Sequence, residues 1–254
     1  MIHNTHLLIP DTQVAPGRSI DHLVWLGKYI VDRCPQKLIQ IGDWHDMPSL
    51  SSYDKGKKCF EGRRYRKDID AGNEALERME HEIRKSAKLR RTLRRFHFRG
   101  NHEYRIHRAV DDAAVLDGTI GYKDLAWEQF GWRVYDFLEV GAIDGVAYSH
   151  FFPRSGSGSV TQSTRGAPNA RAQVIREGRS ATAGHLQGLD VACMPLGGRL
   201  QWGLIAGSYY QHDEGYLGPQ GNSHWRGIVV KHNVHKGSYN PMFVDLAYLR
   251  SKYA

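Results

Sequence analysis

The sequence predicts an α/β fold in which a helix-covered parallel sheet is followed by a second, mostly β layer. In the first half, short apolar or β-prone runs alternate with amphipathic helical patterns, and closely spaced strand-like runs follow after about residue 131. The order strand, helix, strand, helix, strand produces a parallel sheet with helices on its faces. Ligands of such sheets bind beyond the carboxyl ends of the strands.

Three strands are predicted in the first half, over residues 6–11, 38–43 and 96–101, and each stops at a polar residue followed by turn-forming chemistry. The first gap contains an amphipathic helix over 19–33, with Ser19 as its N-cap. The second gap contains a long helix at about 68–95. The carboxyl ends of these strands therefore carry the polar residues of interest.

The second half is predicted to be mostly β. Its strand-like runs cover residues 132–140, 146–150, 180–184, 200–207, 227–232 and 241–246. Residues 153–168, rich in Gly, Ser and Thr, predict a mobile loop. We expect a single domain over 1–254 with a basic insertion at about 54–95, and we expect the last 60 or so residues to complete the second sheet.

Composition limits the possible classes of protein. With 254 residues and 41% hydrophobic content, the chain can build one substantial core. No export signal and no run of about 18 apolar residues is present, which predicts a soluble, cytoplasmic protein with no membrane partner. Three widely separated cysteines exclude a cysteine-based zinc knuckle. The net charge of +8 favours an anionic partner.

Polar motifs follow the predicted strand ends in a fixed order. They are Asp11-Thr12-Gln13, GDWHD at 42–46, RGNHE at 99–103, His150 after VAYS, and GHLQ at 184–187. In order and spacing this set resembles the calcineurin-like metallophosphoesterase superfamily over roughly residues 6–190. The resemblance implies a four-layer α/β/β/α sandwich, with two mixed β-sheets flanked by helices, and a pair of divalent metal ions at the strand ends.

The resemblance also implies which residues hold the ions. Asp43 resembles the carboxylate that bridges both ions. Asn101, His150 and His185 would complete the coordination site of one ion, and Asp11, Gln13 and Gln187 that of the other.

Gln13 and Gln187 stand where the family has histidines, and direct ligation and an indirect role both remain open for them. Carboxamide oxygens are weaker, harder donors than imidazole, so this second ion should be labile and favour Mn²⁺ or Mg²⁺ over Zn²⁺. We expect Mn²⁺, with Mg²⁺, Zn²⁺, Fe and Ni²⁺ as alternatives. An empty second site with loss of turnover is a further alternative.

His102 resembles the family's catalytic histidine, which protonates the leaving oxygen, and Asp46 its orienting carboxylate. Candidate substrate-binding residues are Arg105, His45, Arg63 and Arg64. The two adjacent arginines belong to the basic stretch 55–67, which contains Phe60 and Tyr65. This stretch either contacts phosphates and bases or is a solvated loop.

Three functions follow, and the first is preferred. The chain is predicted to be a metal-dependent phosphodiesterase acting on DNA, resembling a stand-alone, phage or bacterial type of the nuclease subunit of double-strand-break repair complexes, without an obligate ATPase partner. A phosphomonoesterase or protein phosphatase is the alternative, but Met47 stands where protein phosphatases carry Arg. The third is a nucleic-acid-binding protein with a weakened metal site. The sequence leaves the native metal, the cleavage polarity and the oligomeric state open.

Overall fold

The computed structural model describes residues 4–153, 169–215 and 218–254. Within these residues the strands form two mixed sheets. The first sheet has the order β11-β10-β1-β2-β3-β4 and consists of β1 (His6–Ile9), β2 (Lys37–Gln40), β3 (Arg94–Phe98), β4 (Trp132–Tyr135), β10 (Gly227–His235) and β11 (Ser238–Asp245). The second has the order β5-β6-β7-β9-β8 and consists of β5 (Gly141–Ile143), β6 (Val146–Tyr148), β7 (Ala181–Ala183), β8 (Leu189–Leu196) and β9 (Arg199–Ala206).

Helices cover the outer faces of both sheets. The α-helices of the described residues are α1 (Asp21–Arg33), α2 (Tyr65–Arg84), α3 (Ala87–Thr92), α4 (Tyr104–Asp112), α5 (Ala170–Glu177), α6 (Gly218–Gly221) and α7 (Leu246–Tyr253). In α1 the apolar residues recur at helical spacing, and Leu23, Leu26 and Ile30 are all fully buried. None of the described helices has both the length and the apolarity needed to cross a bilayer.

Two large apolar cores separate the layers. One lies between the sheets and joins Leu8 and Ile39 of the first sheet to Tyr148 and Leu204 of the second. The other lies between the first sheet and its helices, which contribute Leu23 and the other apolar residues of α1 and α2. On the far side of the second sheet, α5 packs directly on β9. The predicted four-layer α/β/β/α class is confirmed.

The parallel strands run β1-β2-β3-β4 in the first sheet and β6-β7-β9 in the second. Parallel neighbours end at the same edge of a sheet, so the loops after β1, β2 and β3 lie side by side. The loops after β6 and β7 do the same in the second sheet. This arrangement brings the predicted polar motifs to one edge of the molecule.

Several predicted elements differ from the structure. The helix predicted at 68–95 is two helices, because α2 ends at Arg84 and the Ser86 hydroxyl caps α3 by accepting from the backbone N–H of Leu89 at 3.3 Å. These helices connect β2 to β3, so much of the predicted basic insertion is the crossover connection itself. The C-terminal strands β10 and β11 do not complete the second sheet; β10 pairs antiparallel with β1 in the first. Strand β8 was not predicted, and residues 154–168 of the predicted mobile loop lie outside the described residues.

Candidate metal centre

Five of the predicted ligands lie at strand ends, each within three residues of the last strand residue. Asp11 follows β1, Asp43 follows β2 and Asn101 follows β3 in the first sheet. His150 follows β6 and His185 follows β7 in the second. Residues separated by up to 174 positions therefore face one another across the edge where the two sheets meet.

Asp43, His150 and His185 form a compact cluster in which one ligand atom from each lies within 4.8 Å of the others. Asn101 joins them, because its Oδ1 lies 2.9 Å from His150 Nε2 and 2.8 Å from His185 Nδ1. His150 Nδ1 donates to the backbone oxygen of Ile41 at 2.8 Å, which leaves Nε2 facing Asp43 Oδ2 at 3.3 Å. A carboxylate, an amide oxygen and two imidazoles facing one point fit a divalent cation.

Burial and neighbouring charges shift the pKa values of His150, Asp43 and Asp11. Burial by itself would lower the pKa of His150. The Asp43 carboxylate and its hydrogen bond outweigh burial, so that this pKa is raised to about 10. Burial raises the pKa of Asp43, but His102 and His150 outweigh it and hold that pKa below its ordinary value. Burial, with the neighbouring Asp43 charge, raises the pKa of Asp11 to about 7. With no cation bound, the protonated imidazole of His150 therefore balances the charge of the Asp43 carboxylate, a role that a metal ion would take over.

Glycines at the start of the motifs allow the ligands to approach one another. A Cβ added to Gly100 would lie 2.1 Å from Asp43 Oδ1, and one added to Gly184 would lie 2.3 Å from Asp11 Oδ1. A Cβ at Gly42 would lie 2.4 Å from His150 Nδ1. Each glycine therefore makes room for a ligand that arrives from a different strand.

The backbone is strained at several of the predicted ligands. Gln13, Asp43, His185 and Gln187 have φ angles of 44°, 50°, 69° and 59°. Such left-handed conformations are uncommon for residues other than glycine, and they persist only where the surrounding structure enforces them. Their concentration at this edge supports a functional role for the loops.

The ligands predicted for the second ion follow β1 and β7: Asp11 and Gln13 lie after β1, and Gln187 lies two residues after His185. Both Asp11 carboxylate oxygens accept from the backbone N–H of His185, at 3.2 and 3.0 Å. Gln13 is buried, and within the described part of the chain its Nε2 has no hydrogen-bond partner. Gln187 Oε1 accepts from the Tyr210 hydroxyl at 2.9 Å and keeps a second lone pair. These residues carry oxygen atoms of the kind that a second ion would need, and their direct ligation remains a prediction.

His102 lies beside the cluster in a polar setting. Its Nδ1 lies 2.9 Å from Asp46 Oδ1, and its backbone N–H donates to Asp43 Oδ1 at 2.9 Å. Burial lowers the pKa of His102, but Asp43 and Asp46 outweigh it, so that the pKa is raised. Arg105 Nη2 lies 3.0 Å from His102 Nε2, while its Nη1 donates to the Asp46 backbone oxygen at 2.7 Å.

The other predicted substrate-binding residues lie apart from the cluster. His45 is fully buried and packs against Gly72 of α2, so the prediction that it contacts substrate is wrong: the crossover helix covers it. Arg63 donates to the Pro48 backbone oxygen at 3.0 Å and to Asp54 at 2.8 Å. Arg64 is exposed at the start of α2. For these two arginines, substrate binding stays a prediction.

Two residues that support the site were not predicted from the sequence. Glu103 is buried and accepts from the backbone N–H groups of Asp43 at 3.1 Å and Gly100 at 2.8 Å, which ties two ligand loops together. Its place as the last residue of RGNHE was the available signal. The second support is Tyr210, which holds Gln187 and lies 3.2 Å from His224 Nε2. Tyr210 follows β9, and no sequence motif around it indicated a role in the site.

No protein-family model matches this chain, and no curated protein matches it. Among solved structures, the chain is similar to a dimetal phosphatase from Danio rerio, with 12% identity, 96% of each chain covered and a TM-score of 0.48. A second solved structure has 12% identity, covers 96% of this chain and 100% of its own, and has a TM-score of 0.43. At such values the likeness carries no functional argument.

Proposed function

We propose that this chain is a metal-dependent phosphodiesterase that cleaves DNA. One observation carries the proposal: the cluster of Asp43, Asn101, His150 and His185 lies directly beside the hydrogen-bonded pair of His102 and Asp46. A cation site next to a positioned proton donor is what phosphoester hydrolysis requires.

Two ions are proposed, as the ligands divide into two groups. Asn101, His150 and His185 would hold one, Asp11, Gln13 and Gln187 the other, and Asp43 would serve both. When bound, such ions lower the pKa of water and offset the charge on phosphoryl oxygens. The oxygen-rich second group should bind its ion more weakly and favour Mn²⁺ or Mg²⁺.

His102 is the proposed proton donor to the leaving oxygen. Asp46 accepts from Nδ1, which orients the ring so that Nε2 faces the rim of the cluster. The raised pKa favours the protonated form of the imidazole, which is the form that a general acid needs. Arg105 Nη2 donates to His102 Nε2 in the substrate-free structure, so an anionic oxygen that enters between the two groups would accept from Arg105 and from the protonated His102.

The choice of DNA as substrate is supported by charge. The chain carries 35 Lys and Arg against 27 Asp and Glu. The basic stretch 55–67 is tied to the loop that carries Asp43 and Asp46, because Arg63 donates to the backbone oxygen of Pro48. Cationic residues next to a hydrolytic site favour a polyanionic substrate over a small monoester.

A panel of metals and substrates tests the proposal. Metal-free protein is reconstituted with Mn²⁺, Mg²⁺, Zn²⁺ or Ni²⁺ and offered bis-p-nitrophenyl phosphate, p-nitrophenyl phosphate, and single- and double-stranded DNA. We expect hydrolysis of the diester and of DNA with Mn²⁺. Hydrolysis of the monoester alone would exclude the nuclease, and salt-sensitive DNA binding without cleavage under every metal would support a nucleic-acid-binding protein with a weakened metal site.

The role of His102 is tested by His102→Ala. We expect kcat on bis-p-nitrophenyl phosphate to fall about 10²–10⁴-fold, since a general acid contributes that much. Metal content, measured by elemental analysis, should be nearly unchanged. The matched control is His107→Ala, an exposed histidine on α4, which should retain full activity. Equal activity of the two variants would remove His102 from the mechanism.

A further inference from the structure

A basic groove opens beside the metal centre. It has a volume of about 260 Å³ and lies between the turn after Met47, the segment 54–64 and helix α4. The residues that matter in its lining are Ser49, Lys55, Phe60, Arg105, Arg108 and Asp112. Three of these six are cations and one is aromatic, which is the combination that binds phosphate and stacks a base.

Arg105 connects the groove to the cluster. It lines the groove, and its Nη2 lies 3.0 Å from Nε2 of His102. Arg108 follows three residues later, one turn further along the same face of α4. A chain of phosphates leaving the cluster past His102 would therefore meet Arg105 first and Arg108 next.

The outer wall of the groove is held in place. Arg63 donates to the backbone oxygen of Pro48 at 3.0 Å and to Asp54 Oδ2 at 2.8 Å, and its guanidinium carbon lies 5.6 Å from the centre of the Phe60 ring. The backbone N–H of Ser49 donates to Asp68 Oδ2 at 2.9 Å. These contacts tie the segment carrying Lys55 and Phe60 to the turn and to α2, and they assign Arg63 to the wall.

Two cations in the groove are available for a ligand. Lys55 and Arg108 are exposed, and among the described residues neither has a carboxylate within ion-pair distance. Asp112, at the end of α4, is the acidic residue of the lining, so an anion should sit toward Arg105 and Arg108. About 260 Å³ accommodates roughly one nucleotide, too little for a duplex.

We propose that this groove binds the single-stranded nucleotide on the leaving side of the scissile phosphate. Arg108 and Lys55 bind its phosphate, and Phe60 stacks on its base. The inference rests on the proposed function, since the leaving side is defined by His102. It adds the strand preference and the residues that confer it, because a base stacked on Phe60 has to be unpaired.

The test compares a substrate that fills the groove with one that does not. For each variant, kcat/KM is measured on a single-stranded oligonucleotide and on bis-p-nitrophenyl phosphate, and their ratio is taken. Phe60→Ala should lower the ratio about tenfold, the effect of losing one stacked base. Arg108→Ala and Lys55→Ala should lower it several-fold.

Salt dependence adds a readout that a folding defect would not mimic. Loss of one phosphate contact should reduce the slope of log KM against log salt concentration by about 0.7 in Arg108→Ala. The matched controls are Arg91→Ala and Lys88→Ala, two exposed cations of α3 outside the groove lining. Both should keep the ratio and the salt slope of the unmodified chain.

The outcomes separate this inference from the proposed function. If the unmodified chain hydrolyses neither substrate with any metal, the proposed function fails; the groove is then tested by anisotropy of a labelled oligonucleotide, whose affinity should fall in Phe60→Ala. If both substrates are hydrolysed and the ratio is the same in all variants, the groove inference is overturned. Arg108-dependent cleavage of a phosphopeptide, with none of the oligonucleotide, would also overturn it.

Discussion

Gly100 is the position at which a single methyl group should disable the proposed metal centre. In Gly100→Ala the added Cβ would lie 2.1 Å from Asp43 Oδ1 and 2.3 Å from the Asp43 backbone nitrogen. Ordinary contact begins at 3.4 Å, so the carboxylate oxygen has to move by about 1.3 Å. Because the backbone nitrogen is also in the way, a rotation of the side chain alone does not relieve the overlap.

The displacement breaks defined contacts. The backbone N–H of Asp43 donates to Glu103 Oε2 at 3.1 Å, and Asp43 Oδ1 accepts from the backbone of His102 at 2.9 Å. Overpacking costs about 1–3 kcal/mol and each lost hydrogen bond about 1 kcal/mol. We therefore expect the free energy of unfolding to fall by about 3–5 kcal/mol, and metal affinity to fall at least tenfold, to about the extent seen for other residues that position ligands.

Urea denaturation and calorimetric titration with Mn²⁺ measure the two quantities, and hydrolysis of bis-p-nitrophenyl phosphate reports the consequence. The matched control is Gly121→Ala, at an extended backbone position where the nearest atom to an added Cβ is 3.9 Å away. It should leave stability unchanged or raise it by about 0.4–1 kcal/mol. The reasoning is refuted if Gly100→Ala binds Mn²⁺ and turns over substrate like the unmodified chain.

Two further predictions concern Gln187 and the buried histidines. Tyr210→Phe removes the hydroxyl that holds Gln187 Oε1, so the weaker of two Mn²⁺ affinities should fall about tenfold while the tighter one is kept. The control is Tyr53→Phe, at an exposed tyrosine. Loss of the tighter ion instead would contradict the ligand assignment. Burial lowers the pKa of His22 to about 4, so this ring stays neutral in the folded chain until the pH approaches 4. In the unfolded chain the same ring takes up a proton near pH 6.5. The folded chain therefore loses stability as the pH falls from 6.5 towards 4. His22→Phe should therefore reduce the stability difference between pH 7 and pH 5, measured by urea denaturation of metal-free protein, by ~2 kcal/mol. The same replacement at exposed His107 should not change that difference, and an unchanged pH dependence in His22→Phe would show that this ring does not titrate as inferred.

Sequence patterns located the strands better than they located the sheet partners. The strand ends after β1, β2, β3, β6 and β7 were predicted within a few residues, since apolar runs and the turns after them are local features. The pairing of β10 with β1 was not predicted, because pairing joins Lys231 to His6 across most of the chain and leaves no local mark. The break at Ser86 was missed because the apolar stripe continues on both sides of it.

Similar limits apply to the site. The motif residues Asp43, Asn101, His150 and His185 could be identified as candidates because each follows a strand end. Burial could not be predicted in the same way: His45 belongs to the same GDWHD motif, yet the crossover helix covers it completely. The motif shows that a residue lies on a ligand loop, whereas the packing of α2 decides which side chains of that loop reach solvent.

The sequence by itself determined the alternation of elements, the positions of the polar loops and the types of donor atom each loop carries. These depend on local propensity and on residue identity. The tertiary structure decided which loops meet, which glycines give the ligands room, and where the basic groove runs. Those features arise from contacts between residues far apart in the chain, and a single sequence contains no direct record of such contacts.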